Sequence, residues 1–338
     1  MGERSTIKDV ARAAGVGVST VSRVINGRGY VSDPARERVL QAVTELHFEP
    51  SRAARTLTTG RSGTVALVLP DITNPFFPSI ARGVEDAASA AGYAVVLCNT
   101  DNDPKQEARY IAMLREQRVD GVVLAACAPT NRDYWVQFAE RVPLVLTDRR
   151  LADFVDDSIG VDNVAGGRLA TRHLLGLGHR RIGLIGGPPD LSTSADRRLG
   201  YEEALREAGI DLDPGLVRPG DFRYAAGYLR MRELLDQNVT AVFAANDMMA
   251  VGAMRAVEDA GGRVPEDVAV VGFDDIPMAS MVKPRLTTVA QPTYQMGVMA
   301  VGKLLRRLKG GPPEDPRQVV LELALVVRDS CGAKEIKT

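Results

Sequence analysis

Ser19, Thr20, Ser22, Arg23 and Asn26 fall within one stretch, VSTVSRVIN, whose other members are all Val or Ile. Short hydroxyls and an amide bind phosphates and base edges, and an arginine can hold the O6/N7 pair of guanine, so the set has the chemistry of DNA recognition. A second set recurs further along the chain. Asp71, Asn74, Phe76 and Phe77 follow VALVL; Asp148 and Arg149 follow LVLT; Asn246 and Asp247 follow AVFAA; Asp274 and Asp275 follow VAVVGF. Carboxylates and amides that each bind two hydroxyls, with phenylalanine faces beside them, suit a polyhydroxylated ligand. Each residue alone is an ordinary loop cap, and the weight lies in the recurrence after successive apolar runs.

The first set needs a scaffold that presents one helix face. Thr6 is placed as an N-cap with Asp9 three residues on, and Ile7, Val10, Ala11 and Ala14 repeat at helical spacing. Gly15, Val16 and Gly17 make a break. A second helix over Val18–Asn26 then turns Val21, Val24 and Ile25 inward and leaves the polar set outward, which is a helix-turn-helix. Any two-helix hairpin shares this pattern, but a third helix from Ser32 or Asp33, with Pro34 in its first turn, supplies Val39, Leu40, Val43, Leu46 and Phe48 to close a three-helix core. The all-α headpiece is expected over residues 1–50. Residues 51–61 form a linker whose short helix exposes Leu57 beside Arg52 and Arg55; this reads as an ordinary basic linker or as an apolar wedge with basic flanks for a minor groove.

The net charge of -1 divides unevenly, +4 over residues 1–61 and -5 over the rest, as a nucleic-acid module joined to a ligand-binding module shows. From Thr64 onward, Val65–Leu69, Ala94–Cys98, Gly121–Ala126, Leu144–Thr147, Ile182–Gly186, Ala241–Ala245 and Val268–Phe273 alternate with helical stretches. Continuous apolar strands of this kind belong to parallel sheets covered on both faces, here two doubly wound α/β lobes, with ligands expected beyond the carboxyl ends of the strands.

Other chemistries find little support. The three cysteines are widely spaced, without CxxC or partnered histidines, so neither a disulfide framework nor a metal site is expected. GVMAVGK at 297–303 matches the start of a phosphate-binding loop, but Leu304 replaces the magnesium-reaching hydroxyl and Met296, Val298, Met299, Val301, Leu305 and Leu308 have the spacing of an amphipathic helix. His47, His173 and His179 lack ligand spacing and read as structural. No enzyme and no cofactor is expected. MGERSTIKD has no apolar core of a secretion signal and no apolar run is long enough to span a membrane, so a cytoplasmic protein without membrane partners is expected. A sugar-binding transport component would need the export signal and leaves the basic head unexplained.

TIKDVARAAGV..STVSRVING, FEPSRAARTL, DITNPFF, RRIGLIGGP, AANDMMAVGAM and VAVVGFDDIPMASMVKPRLTTVAQP occur in the order and spacing of the LacI/GalR bacterial regulators, which the chain resembles over nearly its whole length. That family is similar in its body to periplasmic sugar-binding proteins. The resemblance implies lobes at 62–162 plus 292–320 and at 163–291 plus 321–338. It implies base reading by Val18, Ser19 and Arg23, backbone contacts by Thr20, Ser22 and Asn26, with Thr6 and Arg55 in the DNA-contacting set and Leu57 with Ala54 as the wedge. Gly17 departs from the serine that commonly caps the recognition helix. For the effector it implies Asn74, Phe76, Phe77, Asp148, Arg149, Arg197, Phe222, Asn246, Asp274 and Gln291. The implied protein is a homodimeric repressor on a palindromic operator of double-stranded DNA, switched by a small sugar, with a ribose-like one favoured. A purine-responsive regulator is the nearest competitor. A catabolite-control regulator keeps Tyr294, but Gly302 stands where that type uses an arginine. The polar tail after Val327 has no leucine heptad, so dimers rather than tetramers are expected.

Overall fold

A computed structural model describes residues 5–26, 29–48, 61–125, 129–150, 157–311 and 318–333. The chain divides into one unit that ends at Gly63 and a second that begins at Thr64.

In the first unit, helices α1 (Ile7–Ala14), α2 (Val18–Asn26) and α3 (Asp33–Glu45) follow the expected pattern. The Thr6 hydroxyl and backbone N–H both donate to the Asp9 carboxylate, at 2.6 and 2.9 Å, and fix the start of α1. Gly15, at φ 63°, ends it in the left-handed conformation that only glycine adopts without strain. Arg38 Nε then caps the Ala14 carbonyl at 3.1 Å, which ties α3 to the end of α1. Val10, Val21 and Val39 are fully buried at the centre. Leu40 does not join them and is 51% exposed. The inward stripe of α3 runs Val39, Ala42, Val43 and Leu46, at i, i+3, i+4 and i+7, and a helix carries Leu40 about 100° round from Val39.

The second unit holds two six-stranded sheets. Strands β1 (Thr64–Leu69), β2 (Ala94–Asn99), β3 (Gly121–Leu124), β4 (Leu144–Thr147) and β5 (Ser158–Val161) build the first, with β11 (Gln318–Leu321) returning to its edge, in the order β11-β5-β4-β3-β1-β2. Strands β6 (Ile182–Gly186), β7 (Val217–Pro219), β8 (Ala241–Ala244), β9 (Ala269–Asp274) and β10 (Thr287–Ala290) build the second, with β12 (Ala324–Val326) antiparallel on β10, in the order β12-β10-β9-β8-β6-β7. All other pairings are parallel. Each sheet is covered on both faces by apolar clusters, as continuous Val/Ile/Leu strands require. The chain passes between the sheets three times, after β5, after β10 and after β11.

Helices α4 (Phe76–Ala90) and α12 (Thr293–Leu308) pack in close contact beside the first sheet, Thr293 Oγ1 meeting Ser79 Oγ at 2.8 Å near their starts. Gly83 sits against the Tyr294 carbonyl and Gly297 against the Ile80 carbonyl, each too close to admit a Cβ. GVMAVGK is therefore continuous helix in α12 rather than a phosphate loop.

Candidate functional site

Two groups of side chains carry the chemistry, one in each unit. In the first, Val18, Ser19, Ser22 and Arg23 lie at i, i+1, i+4 and i+5 on α2, the face opposite the buried Val21 and Val24. Val18 is 43% exposed, Ser19 and Arg23 are exposed, and Thr20 and Ser22 are half-buried. The Gly17 carbonyl accepts from Thr20 and Val21 N–H at 2.9 and 3.2 Å, so α2 starts without a side-chain cap. Thr6 is exposed, its hydroxyl engaged by Asp9. The Asn26 side chain, Ala54, Arg55 and Leu57 lie outside the described residues.

In the second unit, the carboxyl ends of the two sheets face one another across a narrow cleft lined from both lobes. From the first lobe come Asn74, Phe76, Phe77, Asp148 and Arg149; from the second come Arg197, Phe222, Asn246 and Asp274. The two phenylalanine rings meet edge to face at 5.0 Å. Arg197, on α8 (Ser192–Glu207), donates through Nε to Asn163 Oδ1 at 2.8 Å and through Nη1 to the Ala245 carbonyl at 2.6 Å. Its Nη1 stands 3.6 Å from Asp274 Oδ1, and the guanidinium stacks on Phe273 at 3.8 Å. Arg149 donates to Asn102 Oδ1 at 3.1 Å, with Nε 3.8 Å from Asp148 Oδ2. Asn246 spends one amide proton on the Phe222 carbonyl at 3.0 Å and its oxygen on the Met249 N–H at 3.0 Å, opening α10 (Asp247–Asp259).

Three of these residues hold backbone conformations that L side chains rarely adopt: Asp148 at φ 64°, Phe222 at φ 68° and Asp274 at φ 114°. Such strain concentrates where a fold aims side chains at a ligand.

The geometry departs from the sequence reading in two places. Gln291 is not on the cleft wall; it stands behind Asp274 and donates to Asp274 Oδ1 at 2.8 Å. Of the strand-end carboxylates, Asp275 pairs with Arg328 at 2.7 Å and Asp247 is fully buried. Asp247 accepts from Thr288 Oγ1 at 2.5 Å and from Ile276 N–H at 2.9 Å, so both shape the floor rather than face a ligand. Asn102, Pro188, Thr193, Asp221 and Arg223 line the cleft unforeseen, alongside Asp71. Asp221 and Arg223 flank Phe222, and that adjacency was the available signal. Arg223 and Asp71 approach to 3.9 Å across the cleft, and Arg150 and Asp196 to 2.6 Å, so both lobes hold each other at the mouth.

Burial sets the protonation of the floor. It pushes the Asp274 carboxyl up to about 7 against the opposing pull of Arg197 and of the Gln291 hydrogen bond, and it raises Asp148 against Arg149 and Arg197. A carboxyl whose folded pKa lies above its unfolded value favours the fold in acid, and that contribution is lost as pH rises from about 4 through about 7. The melting temperature of wild type minus that of Asp274→Asn is therefore expected to fall between pH 5 and pH 8 without sugar. A constant difference across that interval overturns the assignment.

Residues 6–51 match the family described as bacterial regulatory proteins, lacI family, and residues 171–331 match a periplasmic binding protein-like domain. The chain is 41% identical to a ribose operon repressor of Halalkalibacterium halodurans over 98% of both chains. A lac repressor dimer bound to operator and the anti-inducer ONPF superposes with a TM-score of 0.85 at 29% identity, covering 98% of this chain and 100% of that one. A LacI family transcriptional regulator from Enterococcus faecium with bound ribose gives 0.72 at 33% identity, covering 80% of this chain and 100% of that one. No helix among the described residues is long and apolar enough to cross a membrane.

Proposed function

We propose that this chain, which belongs to the lacI family of bacterial regulatory proteins and is a transcriptional regulator rather than an enzyme, is a ligand-gated repressor that binds a palindromic operator as a homodimer and is switched by a small sugar, ribose favoured. The observation that carries the sugar reading is the convergence of Asp148, Arg149, Arg197, Asp274 and the Phe76–Phe77 pair from both lobes onto one cleft. Fixed bidentate acceptors and donors suit a ring of hydroxyls, and an aromatic edge suits its apolar face. A ribose operon repressor among the relatives and a ribose-bound regulator among the structures support the choice of pentose.

On the DNA side, Val18, Ser19 and Arg23 read bases, Thr20, Ser22 and Asn26 hold the backbone, and Leu57 with Ala54 and Arg55 enters the minor groove. One small helix per half-site discriminates too little alone, and two linked copies supply the rest. Sugar in the cleft favours one setting of the lobes, which changes the spacing of the paired linkers and with it operator affinity. Lobe limits at 62–162 plus 292–320 and 163–291 plus 321–338 belong to the same reading, as does a cytoplasmic site of action.

Selection from random duplexes at fixed physiological salt, repeated with ribose, other small sugars and purines, tests it. Enrichment of a palindrome that ribose releases or tightens is the expected result; no enrichment under any condition refutes the reading. Within it, Arg23→Ala is expected to cost on the order of 1–3 kcal/mol of specific binding while non-specific binding survives. Equal loss of both would make Arg23 a phosphate contact.

A further inference from the structure

β9 releases its last residue into a corner of the backbone that side chains rarely enter. Asp274 stands at φ 114° and Asp275 follows at φ 56°. Such conformations persist only where the surroundings over-determine them. What holds this corner is a side chain that does not reach the cleft. Asn246 lines the cleft wall, but its neighbour Asp247, the first residue of α10, is fully buried behind it.

Asp247 Oδ2 accepts from the Ile276 N–H at 2.9 Å, and Oδ1 accepts from Thr288 Oγ1 at 2.5 Å. The Thr288 hydroxyl in turn accepts from the Asp275 N–H at 3.4 Å. Two consecutive peptide N–H groups are thus held by one carboxylate, the second directly and the first through Thr288. On the other side, Gln291 donates to Asp274 twice, from its backbone N–H to the carbonyl at 3.4 Å and from Nε2 to Oδ1 at 2.8 Å. β9 makes room for the brace. Gly272 is the register partner of Thr288, and a Cβ on it would overlap Asp247 Oδ1. Glycine inside a buried strand marks a close approach, and here the carboxylate is what approaches. The corner ends at Ile276, 4% exposed, which joins the apolar core of the first lobe with Met248 and Met278 packed against it. A slip of the corner would therefore move the cleft carboxylate and a contact between the lobes together.

We propose that Asp247, with Thr288 as its bridge, is a positioning residue for the sugar-binding carboxylate of Asp274; this rests on the reading of the cleft as a sugar site. The ligand touches neither Asp247 nor Thr288. By holding the N–H groups of residues 275 and 276 they fix the direction in which Asp274 leaves β9, so the carboxylate meets a sugar already in place. Were Asp247 only a favourable acidic residue in the first turn of α10, loss of the Thr288 hydroxyl would lower stability and leave affinity alone.

The test titrates D-ribose into the full-length protein and into Thr288→Val, Asp247→Ala and Tyr201→Phe by calorimetry, with melting temperatures beside them. Thr288→Val keeps the shape of the side chain and loses the bridge. Tyr201→Phe is the control, because it removes another buried hydroxyl of the same lobe, one that donates to the Ile182 carbonyl at 2.8 Å. Ribose is expected to bind about fivefold or more weakly to Thr288→Val and about tenfold or more weakly to Asp247→Ala, the effect of hydrogen-bonding groups left unpaired at the corner. Tyr201→Phe is expected to lose stability and to bind within twofold of wild type. If Asp247→Ala does not fold, Thr288→Val decides, and loss of the fold in both overturns the inference. Equal affinity in Thr288→Val and Tyr201→Phe makes the bridge a support of the core alone, which overturns the inference and leaves the sugar site standing. Wild type that binds no ribose overturns the reading of the cleft and this inference with it.

Discussion

Arg197→Ala is expected to abolish the sugar response and to weaken ribose binding by at least a hundredfold, with binding to duplex DNA retained. The guanidinium joins three parts of the second lobe at once: Asn163 where the chain enters it, the Ala245 carbonyl at the end of β8, and Asp274 at the end of β9. Truncation removes the charged donor that faces the cleft, and a hydrogen bond to a charged group is worth about 1.5–3 kcal/mol. At about 1.4 kcal/mol per factor of ten, two such bonds to a sugar amount to at least a hundredfold. The ring of Phe273 loses its stacked partner at 3.8 Å as well. Arg197→Lys restores the charge without the planar fork that serves Asn163 and Ala245 together, so intermediate affinity is expected. Calorimetry with ribose and operator binding with and without ribose read the result. DNA binding is spared because the headpiece is a separate unit with its own core around Val10, Val21 and Val39. Ribose affinity within a few-fold of wild type would remove Arg197 from the site.

The same residues show what a sequence discloses and what it withholds. β1, β4, β6, β8 and β9 announce themselves because a strand buried on both faces has to be apolar throughout, and the polar residues just beyond them then fall at the carboxyl ends of the sheets by topology alone. β10 reads TTVA, and its Thr287 and Thr288 are nonetheless buried, because Ser330 Oγ and the Asp247 carboxylate satisfy that strand from elsewhere in the chain. β5, β7, β11 and β12 are short and only partly buried, so they lack the burial on both faces that makes β4 and β8, which are no longer than four residues, stand out. Which strand-end carboxylate faces the ligand was illegible for a similar reason. Asp247, Asp274 and Asp275 are alike in type and position, and only the hydrogen bonds they meet, with Thr288 and Ile276, Gln291, and Arg328, decide that Asp274 alone lines the cleft.

Two glycines on one helix are expected to respond to alanine in opposite directions. A Cβ on Gly297 would overlap the Ile80 carbonyl oxygen and crowd the Val84 N–H, both backbone atoms of α4 that no rotamer change can move aside. The helices must separate, and overpacking of this kind costs roughly 1–3 kcal/mol and more where the backbone itself must yield. At about 2–4 °C per kcal/mol for a unit of this size, Gly297→Ala is expected to lower the melting temperature by roughly 5–10 °C. Gly302, five residues on in the same helix, has nothing within 4 Å of where its Cβ would stand and is exposed. There alanine removes only the backbone entropy that glycine loses in a helix, worth about 0.5–1 kcal/mol, and a rise of roughly 1–3 °C is expected. The opposed signs separate close approach from helix propensity, since propensity alone predicts a gain at both positions. α12 also begins directly after the chain returns from the second lobe, at Gln291 and Pro292. A displaced α12 therefore moves the end of one lobe crossing, and Gly297→Ala is expected to weaken ribose binding where Gly302→Ala does not. Equal melting shifts in the two variants would mean that α4 and α12 are not held at glycine distance.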